Sequence, residues 1–125
     1  MTPALFIAAM IGCGAGATLR YAISRLDRRG AFPWPTIVSN VIGSALLGAV
    51  AAAVIDAGAD TGWLLVLGGG VAGGLSTFST LAVDAVVLWR ERRPRAVIAY
   101  LAVTLVVGVA AAATGWWTWT AFVLQ

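Results

Sequence analysis

Between Gly68 and Asp84 the chain reads GGGVAGGLSTFSTLAVD. Five glycines are followed at once by four hydroxyl side chains, Ser76, Thr77, Ser79 and Thr80, with Phe78 among them. Asn40 is the one amide inside an apolar stretch, and Tyr100, Thr104 and Gly108 recur at a spacing that sets all three on one helix face. These are hydrogen-bond donors with almost no acid among them, and the edge of a ring such as Phe78 is electropositive. Such a set suits a small, strongly hydrogen-bonding anion. Where a glycine-rich membrane helix breaks, around Gly73–Ser76, freed carbonyls can also hold a hard cation. Plainer readings stand beside these. An intramembrane Asn often bonds one helix to another, so Asn40 is open between structural glue and anion donor. The Tyr100 face could line a narrow path, but taken alone a close-packing surface is slightly favoured.

Other chemistry is excluded or weak. Gly68, Gly70 and Gly73 match a dinucleotide-binding spacing, but no strand–turn–helix unit surrounds them. The chain has no lysine for a P-loop and no histidine for acid–base work or zinc, and it is not expected to be an enzyme. Cys13 is the single cysteine, so no intrachain disulfide can form. Asp84 is the only carboxylate inside an apolar stretch. Proton-coupled transporters usually need an acid deep in the bundle, which counts against a proton-driven exporter of drugs or cations.

The elements that must position these residues are membrane helices. Of 125 residues 61% are hydrophobic and 10% charged, with mean hydropathy +0.95, and a soluble domain of this size cannot hide so much apolar surface. Four stretches are long enough to cross a bilayer, at about 4–22, 36–55, 63–89 and 96–115. The first lacks a basic lead-in and is too long for a signal peptide, so it is expected to be a retained span. Its Gly12 and Gly16 form a close-packing pair, and Arg20 near its end is expected to snorkel to the interface, where it could also draw anions to a vestibule. Pro35 is suitably placed to start the second helix. The third stretch is too long for one simple crossing, which fits a break or an offset within it. Non-helical backbone is tolerated there only where protein buries it or where it lines an aqueous cavity. The whole is expected to be a single four-helix transmembrane domain over residues 1–125. All six tryptophans fall at the ends of stretches and form an aromatic belt.

The net charge of +3 comes entirely from arginine. Arg25, Arg28 and Arg29 lie in the first loop and Arg90, Arg92, Arg93 and Arg95 in the third; the second loop and the termini have none. The positive-inside rule places loops one and three in the cytoplasm and both termini outside. So few charges speak of orientation rather than of nucleic acid, and so strong a bias predicts one fixed orientation.

Taken together, GATLRY (Gly16–Tyr21), SNVIGS (Ser39–Ser44), GGLSTFST (Gly73–Thr80) and the Tyr100/Thr104/Gly108 series resemble the Fluc (CrcB) family of bacterial fluoride channels over essentially the whole chain. The resemblance implies an all-α membrane protein of four transmembrane helices with the third broken mid-membrane, assembled as an antiparallel, dual-topology dimer in the bacterial plasma membrane. It implies an anion pathway along Asn40, Phe78, Ser79, Thr80, Tyr100 and Thr104. It also implies a structural sodium ion at the dimer centre, held by the backbone carbonyls of Gly73 and Ser76 and their symmetry mates. Fluoride that enters as HF and ionises inside would leave passively. The partners implied are fluoride, membrane lipid and a second subunit, identical or paralogous.

Two departures are visible. The family usually has a second phenylalanine where this chain has Leu81, and a glycine where it has Pro35. Leucine has no electropositive edge. Together with the fixed orientation, Leu81 suggests pairing with a homologous subunit of opposite bias. The competing readings are a small proton-coupled exporter and a non-conducting partner subunit of a fluoride channel.

Overall fold

A computed structural model describes residues 2–26 and 32–123; Arg28 and Arg29 lie outside the described residues. The architecture is all-helical, with α1 (Pro3–Ser24), α2 (Trp34–Ile55), a π-helical segment (Leu64–Ala72) that runs on through α3 (Gly73–Leu75), then α4 (Phe78–Arg90) and α5 (Pro94–Val123). Four helical stretches are long and apolar enough to span a membrane, the third being Leu64–Arg90, and the chain is a multi-pass membrane protein.

Local chemistry sets the ends. Pro3, Pro35 and Pro94 sit in the first turns of α1, α2 and α5, where a missing N–H costs nothing. Before the third span, Asp60 Oδ1 accepts the Gly62 N–H at 2.6 Å and folds the short acidic loop into the helix start. π-helical winding occupies Leu64–Ala72, where Gly68, Gly69 and Gly70 have no Cβ to resist it. The span is interrupted at Ser76 (φ −75°, ψ 154°) and Thr77 (φ −152°, ψ 124°), both extended, near the middle of its 27 residues.

The fourth helix runs to Val123, past its expected end at Gly115. Glycine does not stop a membrane helix when a neighbour packs on it. A Cβ at Gly115 would strike the Ala45 carbonyl of α2, and one at Gly48 the Ala112 carbonyl of α5. The missing side chains let these two backbones touch. At 30 residues α5 is roughly 45 Å long, well beyond the ~30 Å hydrocarbon core.

α2 is the most buried span and packs chiefly on α5, while α1 packs chiefly on the π segment. A small core of Ile37, Leu88 and Tyr100, with Phe32 edge-on to Tyr100 at 5.9 Å, ties α2 to the α4–α5 hairpin. The third span is thus shared. Its first half packs on α1 and α2, and its second half packs on α5 and is bonded to α2 through side chains.

Candidate functional site: the break in the third span

Two side chains make the break. Asn40 on α2 accepts the Thr77 N–H on Oδ1 at 2.7 Å and returns an Nδ2–H to the Thr77 carbonyl at 3.3 Å. Its amide replaces both backbone partners that Thr77 loses by leaving the helix, which in lipid would otherwise cost several kcal/mol per group. Thr77 then caps α4, its Oγ1 accepting the Thr80 N–H at 3.2 Å. Gly43, one turn along α2, lets that helix approach, since a Cβ there would lie 3.1 Å from both the Ala72 carbonyl oxygen and Ser76 Cβ.

These bonds have a consequence for two carbonyls. In a continuous α-helix the Gly73 carbonyl would receive the Thr77 N–H, and the Ser76 carbonyl the Thr80 N–H. Here Asn40 takes the first donor and the Thr77 hydroxyl takes the second. Gly73 and Ser76 therefore lose their α-helical donors at the break, and Gly73 is exposed.

Beside the break lies a cleft of about 480 Å³, lined by Asn40, Ser44, Ser76, Thr77, Phe78, Leu81, Thr104, Gly108 and the apolar residues Leu101, Leu105, Val109 and Ala112. Among the described residues no carboxylate or cation lines it. Asn40 has one Nδ2–H left after serving Thr77. The Thr104 hydroxyl donates to the Tyr100 carbonyl at 2.7 Å, so it presents an oxygen until it rotates. Gly108 lies against Ser44, whose Oγ is 3.6 Å from where a Cβ would be. Phe78 is 82% exposed in the single chain, and Leu81, one turn on, lines the same cleft.

Asn40, Phe78, Ser76 and Thr104 are thus brought together, whereas Ser79, Thr80 and Tyr100 are not among the lining residues. Ser79 Oγ shares a hydrogen bond with Thr77 Oγ1 at 3.2 Å. Thr80 lines two smaller clefts on the other side of the break, one with Arg20 and Ser39, the other with Asp84 and Glu91. Tyr100 is fully buried, and its O–H donates to Asp84 Oδ2 at 3.0 Å. Thr36 Oγ1 donates to the same oxygen at 2.7 Å. The face predicted from the Tyr100/Thr104/Gly108 spacing is therefore divided, with Tyr100 holding the helices and Thr104 and Gly108 facing the cleft.

Sequence reasoning missed the Thr36–Asp84–Tyr100 cluster. A signal existed: Asp84 and Tyr100 are sixteen residues apart and symmetric about Arg92, the turn of an antiparallel helix pair. Ser44 was noted only as the end of the SNVIGS motif and not as a lining residue, since a serine in an apolar helix does not by itself say which neighbour it faces.

Residues 7–116 match the family described as CrcB-like protein, Camphor Resistance (CrcB). The chain is 40% identical over 118 residues to a Bifidobacterium longum protein named fluoride-specific ion channel FluC 3, covering 92% of this chain and 98% of the relative. It is 42% identical over 120 residues to a fluoride-specific ion channel FluC of Xanthomonas euvesicatoria pv. vesicatoria, covering 87% and 88%. To fluoride-specific ion channel FluC 1 of Ligilactobacillus salivarius it is 37% identical over 109 residues, covering 86% and 92%.

Proposed function

The chain belongs to the CrcB-like family, and we propose that it is a subunit of a fluoride-selective channel through which cytoplasmic fluoride leaves the cell passively. The observation that carries this is the cleft at the break, where an amide, several hydroxyls and the Phe78 ring converge with no carboxylate among the described residues. Fluoride sheds its water only where strong donors replace it, and selectivity then follows from the donors and the width of the path. Asn40, Phe78 and Thr104 would meet the ion in the cleft, with Ser79, Thr80 and Tyr100 bordering the route on either side of the break. No titratable side chain among the described residues lines the cleft, which supports a flux that follows the fluoride gradient. Asp84, engaged by Thr36 and Tyr100, acts as a tie between helices.

The working unit is an antiparallel dimer in the bacterial plasma membrane. Loops one and three lie in the cytoplasm and the termini outside. The Gly73 and Ser76 carbonyls, deprived of their α-helical donors, fit a hard cation. With the same pair from a second subunit they would hold a structural sodium ion, which adds positive charge beside the anion path. Leu81 supplies no ring edge, and the arginine bias favours one orientation. The second subunit is therefore a paralogue of opposite bias that contributes the missing ring.

The test is fluoride-electrode efflux from proteoliposomes, with chloride as control, for the purified chain alone and co-expressed with such a paralogue. Fluoride efflux is expected to be full only for the pair. Full efflux from this chain alone removes the heteromer. Absence of fluoride efflux with every partner leaves the non-conducting subunit instead. Asp84→Asn should leave an electrogenic flux that a proton gradient does not drive. Proton-driven flux abolished by that change would favour the exporter.

A further inference from the structure

The turn from α4 into α5 is built at a cost. Arg92 has φ 57°, the only non-glycine residue in the left-handed region among the described residues. The Arg92 N–H bonds the Trp89 carbonyl at 3.0 Å and the Arg93 N–H the Leu88 carbonyl at 3.1 Å, the paired closure that normally selects glycine at the position of Arg92. Pro94 then opens α5. An arginine is held where glycine would be easier, and strained backbone of this kind clusters at functional sites.

Its surroundings point to a ligand. Trp89, Arg92 and Pro94 line a surface cleft of about 330 Å³. The Trp89 ring is 66% exposed at the end of a membrane span, the level at which indoles sit among lipid headgroups. Four arginines, Arg90, Arg92, Arg93 and Arg95, crowd this turn with Glu91 as the one acid, and Glu91 pairs with Arg93 at 3.4 Å. Arg90, Arg92 and Arg95 are exposed and form no ion pair among the described residues. An unpaired guanidinium beside an indole and a rigid proline, at headgroup depth, matches a phosphodiester. The guanidinium fork meets two phosphate oxygens, and the ring lies against the glycerol and upper acyl chain. The surplus positive charge repels a choline headgroup and favours a lipid with net negative charge.

We propose that this turn is a binding site for an anionic phospholipid, with Arg92 as its phosphate ligand and Trp89 as its apolar wall. The site is remote from the break and does not depend on what passes there.

The experiment measures binding of phosphatidylglycerol to the purified full-length chain in neutral detergent, with phosphatidylcholine and inorganic phosphate as separate arms. Phosphatidylglycerol is expected to bind best. Arg92→Gly should weaken it about five-fold, the factor one interfacial arginine supplies. The same change should raise the thermal midpoint without lipid, because glycine suits the turn. Arg92→Gln should weaken lipid binding equally without that rise, and Arg25→Gln, at the end of α1, should change neither. The proposal is overturned if Arg92→Gly binds phosphatidylglycerol as the parent does, if Arg25→Gln weakens it as much, if phosphatidylcholine binds equally, or if inorganic phosphate alone binds as tightly.

Discussion

Leu64–Leu75 and Phe78–Arg90 belong to one crossing, yet they meet their neighbours by different means. The first half touches α1 backbone to backbone. A Cβ on Gly16 would strike the Val71 carbonyl, and one on Gly74 the Cys13 carbonyl. The second half is tied by side chains: Asn40 to Thr77, and Thr36 and Tyr100 to Asp84. In lipid there is little hydrophobic gain from bringing helices together, so association rests on close packing or on polar bonds. The third span uses one device on each side of its break. Packing by glycine leaves no polar side chain to serve a solute, while packing by polar side chains leaves donors at hand. The cleft forms where the second device begins.

That contrast can be broken from either side. The largest effect is expected in the glycine half. Gly16→Leu or Gly74→Leu should cost about 3 kcal/mol in reversible unfolding, because a carbonyl rather than a flexible side chain occupies the space. Gly14→Ala, with nothing within 4 Å, should stay within about 0.5 kcal/mol. Equal costs at Gly14 and Gly16 would remove the packing account.

In the polar half, Asn40→Leu should cost about 2 kcal/mol, since it orphans both Thr77 backbone groups. Asn40→Asp keeps an acceptor for the Thr77 N–H but removes the donors and adds a like charge. Its fluoride efflux should fall about tenfold or more while the fold survives in thermal unfolding. A variant with normal efflux would return Asn40 to pure glue. Thr77→Val removes the cap of α4 and should cost about 1 kcal/mol, with fraying at Phe78–Thr80 visible in hydrogen exchange. Smallest is Thr36→Val, about 0.6 kcal/mol by the same unfolding assay, the average for one hydrogen bond between membrane helices. A cost as large as that of Asn40→Leu would move the main tie from the break to Asp84.

The sequence by itself determined the spanning architecture. Apolar runs of bilayer length, tryptophans at their ends and arginines in two loops follow from transfer energies that each residue carries wherever it sits. It also marked the break, since glycines and hydroxyls at Gly68–Thr80 are costly in a plain apolar helix, and an amide such as Asn40 had to find a partner. What it left open was decided by contacts between helices. Asn40 spends one donor and its acceptor on Thr77 and keeps one donor for the cleft, a division that depends on Gly43 letting α2 come close. Tyr100 and Thr104 share a helix face by spacing, but Asp84 on the facing helix claims the tyrosine. Gly115 reads as an end along the chain and is a contact in the fold, because Ala45 lies against it. Periodicity places a side chain on a face; only the neighbouring helix decides whether that face becomes a seam or a lining.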